Sequence, residues 1–313
     1  MFFESLLNAI PGGIALGLIW AILALGVYIT YRLLDFADLT VDGSLATGGC
    51  VAIVLTVEGI NPILAMIVAF FAGALAGVVT ALLNTKLKIP AILSGILTMS
   101  ALYSVNKRIL GGRANVSSAA AQTLVGRVAK LLNMDYRGLD KNLISIMICI
   151  VILAIIIGFL YWFFGTEKGS AIRATGNNKV MATAQGINTD RCKIVALALS
   201  NGLAALSGAM ISQHNFSADV NMASGTIVIG LASIVIGELI FGEKLSFWVK
   251  LVGVVVGSLI YRLIFVVAVQ IGLKTDDLKL IASIIIVIAL CLPTIKNKIL
   301  ALKSKGGEEN ARA

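Results

Sequence analysis

Long apolar runs separated by short polar stretches dominate the chain, and they read as helices over Ile14–Tyr31, Ser44–Val57, Pro62–Leu83, Ala91–Val105, Leu143–Phe164, Lys193–Ser212, Gly225–Phe241, Phe247–Val269 and Leu278–Leu292. Runs of about 20 apolar residues match the hydrocarbon layer of a bilayer at the rise of an α-helix. Several of these runs are too short to cross alone. Ser44–Val57 follows the polar stretch DFADLTVD, and Gly225–Phe241 follows FSADVNMAS. Short helices reached through irregular backbone predict broken or re-entrant elements, which survive at membrane depth only when packed in protein or lining a cavity. The two lead-ins resemble each other faintly, Phe36-Ala37-Asp38 against Phe216-Ser217-Ala218-Asp219, with opposite directions through the membrane, as in an inverted repeat. The expected fold class is an all-α polytopic membrane protein of roughly 8–10 membrane helices, some short or re-entrant. Residues 1–295 would form the integral membrane domain and 296–313 a basic tail.

One stretch breaks the apolar pattern: EKGSAIRATGNNKVMATAQGINTDRC, Glu167 to Cys192, within the polar segment 166–191 and its margin. It predicts two short helices, Ser170–Ala174 and Lys179–Gln185, parted by the turn cluster Thr175-Gly176-Asn177-Asn178. Asn178 is placed to cap the second helix, Gly186 to take the left-handed position after it, and Ile187 to make the accompanying apolar contact. Ala171, Ala174, Met181, Ala182 and Ala184 would leave a face of small and adaptable side chains, ringed by Lys168, Arg173, Lys179, Arg191 and Lys193. That describes a protein-docking surface. It also describes an ordinary linker.

Composition sharpens the class. Hydrophobic residues make up 58% of the chain and charged residues 13%, with mean hydropathy +0.98. A soluble domain carries about 25% charge, so this chain could not cover a water-facing surface. The net charge of +9 is spread through loops, which argues against a nucleic-acid partner and for cytoplasmic loops beside anionic lipid. Lys86, Lys88, the Lys168–Lys193 cluster, Lys244 and the tail residues Lys296, Lys298, Lys303 and Lys305 fall on one side, which places the N-terminus outside and the C-terminus in the cytoplasm. The loop 106–142 dissents, with Lys107, Arg108, Arg113, Arg127, Lys130, Arg137 and Lys141 on the outer side; an amphipathic helix is expected within it at Leu124–Leu132. The N-terminal MFFESLLNAIPGG lacks a basic leader and reads as a retained first segment. Cys50, Cys149, Cys192 and Cys291 have no metal-ligand spacing, His214 is the one histidine, and no catalytic or metal constellation emerges. No G-x-x-x-x-G-K-[ST] phosphate loop is present, so ATP hydrolysis would need a separate chain.

Polar residues inside spans are functional candidates because burying them is costly. Arg262 could meet an anionic solute on a translocation path; alternatively it snorkels, or pairs with Glu238 or an aspartate. Asp35, Asp38 and Asp42 gather before the first short helix; Asp42 is expected to cap Ser44–Val57, and Asp38 to face the path with Thr40 and Ser44. Ser94, Ser224 and Thr226 offer uncharged hydrogen bonds, or bond back to their own helices. A secondary transporter would need more buried carboxylates than the spans hold, and a membrane enzyme would need a nucleophile–base pair.

The central segment resembles the cytoplasmic coupling segment of ABC importer permeases, in the family of branched-chain amino acid and ribose-type permeases. The pattern of a basic residue and glycine, then R-A-x-G-x-N, then A-x-x-x-G-I-N, is met by Lys168-Gly169, Arg173-Ala174-Thr175-Gly176-Asn177 and Ala182-Thr183-Ala184-Gln185-Gly186-Ile187-Asn188. The D-L-S-V-G-S of sugar-type members is matched by Asp38-Leu39-Thr40-Val41-Asp42-Gly43-Ser44, with Asp42 as an insertion. Ala232-Ser233-Ile234-Val235-Ile236-Gly237 is a third match, followed by Glu238 where the family often has another glycine. The resemblance implies a permease subunit in a bacterial plasma (inner) membrane, paired with a second copy as a homodimer in the lipid bilayer. Lys168, Gly169, Arg173, Ala174, Gly176, Asn177, Ala182, Gly186 and Ile187 would then couple to ATPase subunits that bind ATP and Mg²⁺, leaving this chain without a cofactor. A substrate-binding protein or lipoprotein would deliver the solute. Chains carrying DFADLTVDGS resemble amino-acid permeases, including those for aromatic amino acids, which favours an amino acid over a sugar or nucleoside.

Overall fold

The computed structural model describes residues 2–135, 138–242 and 246–272, with positions 280, 283, 284 and 287 beyond them. The expected span Leu278–Leu292, the tail 296–313 with its lysines, and the bases Arg137 and Lys244 lie wholly or almost wholly outside the described residues. The chain folds as α1 (Phe2–Tyr28), a π-helical turn (Ile29–Leu33), α2 (Thr40–Val57), α3 (Pro62–Thr85), α4 (Ala91–Ile109), β1 (Asn115–Ser117), α5 (Leu124–Leu132), α6 (Gly138–Gly165), α7 (Glu167–Asn177), α8 (Lys179–Ala184), α9 (Thr189–Asn215), β2 (Ser217–Asp219), α10 (Thr226–Phe241) and α11 (Phe247–Gln270). Among the described residues six helices are long and apolar enough to cross a bilayer: those over Asn8–Leu33, Thr40–Val57, Pro62–Thr85, Gly138–Gly165, Thr189–Asn215 and Phe247–Gln270. The chain is an all-α multi-pass membrane protein. The 16 residues of α10 span about 24 Å, short of the hydrocarbon thickness.

The helix α9 forms the axis of the packing. Its inward side is small enough for two neighbours to reach its backbone: β-carbons at Gly48 of α2 and Gly73 of α3 would collide with the carbonyls of Ala205 and Asn201 respectively. In a membrane, packing of this kind replaces the missing hydrophobic drive between helices. Polar side chains then stitch α9 to its surroundings. Ser200 and Ser207 donate to the carbonyls of Gly26 and Ile19 on α1, and Gln213 donates to Thr56 Oγ1 while accepting from the Leu124 amide. Each group is buried and each is satisfied, as a low-dielectric interior demands.

The ends of the molecule differ. At one end, the short antiparallel pair β1–β2 joins the loop after α4 to the loop after α9 (Val116 opposite Ala218). There α5 occupies Leu124–Leu132, as its amphipathic pattern predicts, with Thr123 Oγ1 accepting from the Gly126 amide and with Val125 and Ala129 buried against Ile144. At the other end lie α7 and α8, between α6 and α9. Helix α9 starts at Thr189 rather than Lys193, because Asn188 accepts from the Arg191 amide and extends the helix backward. The first short helix likewise begins at Thr40 rather than Ser44, because the Asp38 carboxylate accepts from the Thr40 amide at 2.9 Å.

Candidate functional site

Helices α2 and α10 begin beside one another and leave in opposite directions. Helix α2 runs toward the β1–β2 end, where Thr56 meets Gln213; α10 runs toward the α7–α8 end, where Glu238 pairs with Arg32 at 2.8 Å. Their junction is made by Asp42. Its carboxylate accepts from the Gly225 amide (3.0 Å), the Thr226 hydroxyl (2.7 Å) and the Ile227 amide (2.9 Å). The expectation that Asp42 caps its own helix is corrected: it sits in the first turn of α2 but caps α10, whose orphan N-terminal amides and dipole attract an anion. Gly225 makes the approach possible by adopting φ +84°, the left-handed region.

Asp38 does what was expected of Asp42. Besides capping α2, it accepts from Asn201 Nδ2 at 2.7 Å, and Asn201 Oδ1 accepts from Ser44 at 2.6 Å. Thr40 shares a 2.7 Å hydroxyl contact with Thr80 of α3. Asp38, Thr40 and Ser44 are thus buried and hydrogen-bonded within the packing of α2, α3 and α9. Ser94 bonds back to Ala91 and is fully buried. Thr226 is buried on Asp42. The hub of this network, Asn201, is absent from the sequence-based candidates; an asparagine within the apolar run of α9 was the available signal.

A cavity of about 430 Å³ opens between α2, α4 and the turn before α10. Asp42, Gly43, Ala46, Ser100, Tyr103, Asn106 and Asn221 are among its lining, and of the predicted path residues it includes Ser224 alone. Asn106 is 1% exposed and its Oδ1 has no hydrogen-bond partner, a state that costs about 1–3 kcal/mol when the site is empty of donors. Arg262 lies elsewhere, on a cavity of about 250 Å³ bounded by Gly12, Gly13 and Leu16 of α1 and by Gln270. Its Nε is buried without a hydrogen-bond partner, and the ion pair of Glu238 is made with Arg32.

The polar middle segment has defined geometry. Helix α7 continues through Gly176 to Asn177, so the expected turn cluster contracts to Asn178 alone. Asn178 Oδ1 accepts from the Met181 amide at 3.0 Å. After α8 the Gly186 amide donates to Thr183 and the Ile187 amide to Ala182, with Gly186 at φ +81°, a Schellman termination. Val180 and Met181 are 81% and 56% exposed, whereas Ala182 is buried, correcting its expected place on the outer face. Lys168, Asn177 and Arg191 are exposed. Arg173 turns inward: its Nη2 donates to the Phe164 carbonyl at 2.9 Å and the guanidinium lies 5.8 Å from the Phe247 ring centre. Gly169 and Gly176 permit backbone contact, since β-carbons there would strike the carbonyl oxygens of Phe163 and Leu33.

The amino-acid sequence has relatives among known proteins. The model of the branched-chain amino acid transport system / permease component family matches residues 9–290. A tyrosine transport system permease protein of Clostridioides difficile is 38% identical over 270 residues, covering 86% of each chain. A probable branched-chain amino acid transport permease of Methanocaldococcus jannaschii is 26% identical over 223 residues, 70% of each chain. A ribose import permease of Escherichia coli is 26% identical over 244 residues, 77% of this chain and 71% of the relative. No solved structure matches. With nearly its whole described length matched, this chain belongs to the branched-chain amino acid transport permease family of ABC importers.

Proposed function

We propose that the protein is the membrane subunit of an ATP-driven importer for an amino acid, with its α7–α8 segment seated on a separate ATPase that binds ATP and Mg²⁺. The observation that carries the reading is the geometry of that segment. It is built from local caps that hold an exposed Val180–Met181 knuckle and an exposed Lys168, while glycines bring its inner side onto the backbone of α6 and the π-turn. A mere linker would not require a termination motif and two backbone-contact glycines in so few residues. Lys168, Arg191 and the neighbouring bases support a cytoplasmic segment, with the N-terminus outside and the C-terminus inside. The amino-acid reading draws on the tyrosine and branched-chain names of two relatives. A second copy of the chain and an extracytoplasmic binding protein complete the assembly.

The test is uptake and topology in one set of cells. Co-expression with the adjacent ATPase and binding protein should confer energy-dependent uptake of labelled L-tyrosine or a branched-chain amino acid. Uptake of ribose alone would move the substrate to the sugar branch, which the ribose import relative keeps open. An Asn177→Cys thiol should react with an impermeant reagent only in inverted vesicles. Reaction in intact cells alone would overturn the docking role.

A further inference from the structure

Of the cavities among the described residues, the one at the junction of α2 and α10 combines a carboxylate with a buried unpartnered amide oxygen. We propose that it is a solute station selective for a protonated primary amine, with Asn106 Oδ1 and Asp42 as the receiving groups; the assignment rests on the amino-acid reading above and names the end of the solute that is recognised. Its volume of about 430 Å³ falls within the about 300–1,000 Å³ of small-molecule sites.

The chemistry follows from the lining. Among the described residues Asp42 is the one charged residue on the wall, and none of the described lysines or arginines lines it. Its two oxygens already accept three hydrogen bonds from the start of α10, so it contributes charge more than free lone pairs. Asn106 supplies what Asp42 lacks. It is a fully buried acceptor without a donor, one turn beyond Tyr103 on α4 and on the same cavity. An acceptor held unsatisfied beside a carboxylate matches an ammonium group, which brings three donors and a positive charge. A neutral sugar would satisfy the amide and gain nothing from the charge. Ser100, Tyr103 and Asn221 remain on the wall for the polar remainder of a zwitterion.

The experiment reads the charge preference of the cavity without knowing the solute. In a cysteine-free version of the full permease–ATPase complex in nanodiscs, Asn106→Cys is reacted with matched cationic and anionic methanethiosulfonates, ethylammonium and ethylsulfonate. The cationic reagent should react at least about tenfold faster, and adding Asp42→Asn should reduce that ratio severalfold. Equal rates, an anionic preference, or no reaction with either would overturn the proposal. Ser100→Cys, on the same wall, gives the same readout if the first variant does not assemble. If uptake assays yield an amino acid while the ratio is near one, this inference falls and the proposed function stands. If they yield a neutral sugar while the cation preference persists, the amine assignment and the amino-acid reading fall together, and the ATPase-driven role is untouched.

Discussion

The two ends of α10 are held by carboxylates in opposite ways. At the N-terminus, Asp42 takes three hydrogen bonds, two of them from backbone amides, and its charge suits the positive end of the helix dipole. In the last turn, Glu238 sits at the unfavourable end of the same dipole and is balanced by Arg32, in a pair whose side chains are 24% and 42% exposed. Bonds of the first kind contribute about 1.5–3 kcal/mol each; exposed pairs of the second kind contribute about 0.2–1 kcal/mol. The N-terminal end is therefore the fixed point of α10 and the Glu238 end is the releasable one. The releasable end is also the one beside α7, because Leu33, next to Arg32, touches Gly176.

Four substitutions break or sharpen this contrast. Asp42→Ala leaves two amides and a hydroxyl without their acceptor and should cost on the order of 3–5 kcal/mol, read as a lowered thermal midpoint and poor recovery of folded protein. Gly176→Val drives a side chain into the Leu33 carbonyl; uptake should fall at least about tenfold while the protein still reaches the membrane, by the general cost of overpacking a close contact. Charge reversal in Arg173→Glu removes the bond to Phe164 and the contact with the Phe247 ring, and should separate ATP hydrolysis from uptake in reconstituted vesicles. Unchanged coupling in that variant would leave Arg173 with no part in transmission. Glu238→Gln should change stability by less than about 1 kcal/mol and yet alter transport, since it loosens only the releasable end. A thermal midpoint that drops as far as in Asp42→Ala would erase the contrast.

Local physics was legible in the sequence. The spans follow from apolar run length, and the caps at Asn178 and Gly186 join groups only a few residues apart. Helix α5 was legible for the same reason, since its buried residues Val125 and Ala129 recur at helical spacing. What escaped was set by distant chain. Asp42 and Thr226 are 184 residues apart, and Asn201 and Asp38 are 163 apart, so no local pattern marks either pair. An acidic residue in a first turn ordinarily serves its own helix, and only the folded arrangement shows that Asp42 serves another. Gly176 was misread as a turn former because glycine usually breaks helices; here it stays helical and exists for clearance. Asn106 could be found only by observing that nothing reaches it.

The π-turn at the foot of α1 has a mechanical meaning of its own. Its Leu34 amide reaches back five residues to Ile29, so the turn stores one residue more than ordinary winding would. Drawing that surplus into regular winding would rotate Arg32 about the axis by about 100° and advance it about 1.5 Å. A twist there would come in a whole-residue step, and it would shift Arg32 relative to Glu238 in the pair that the two now form.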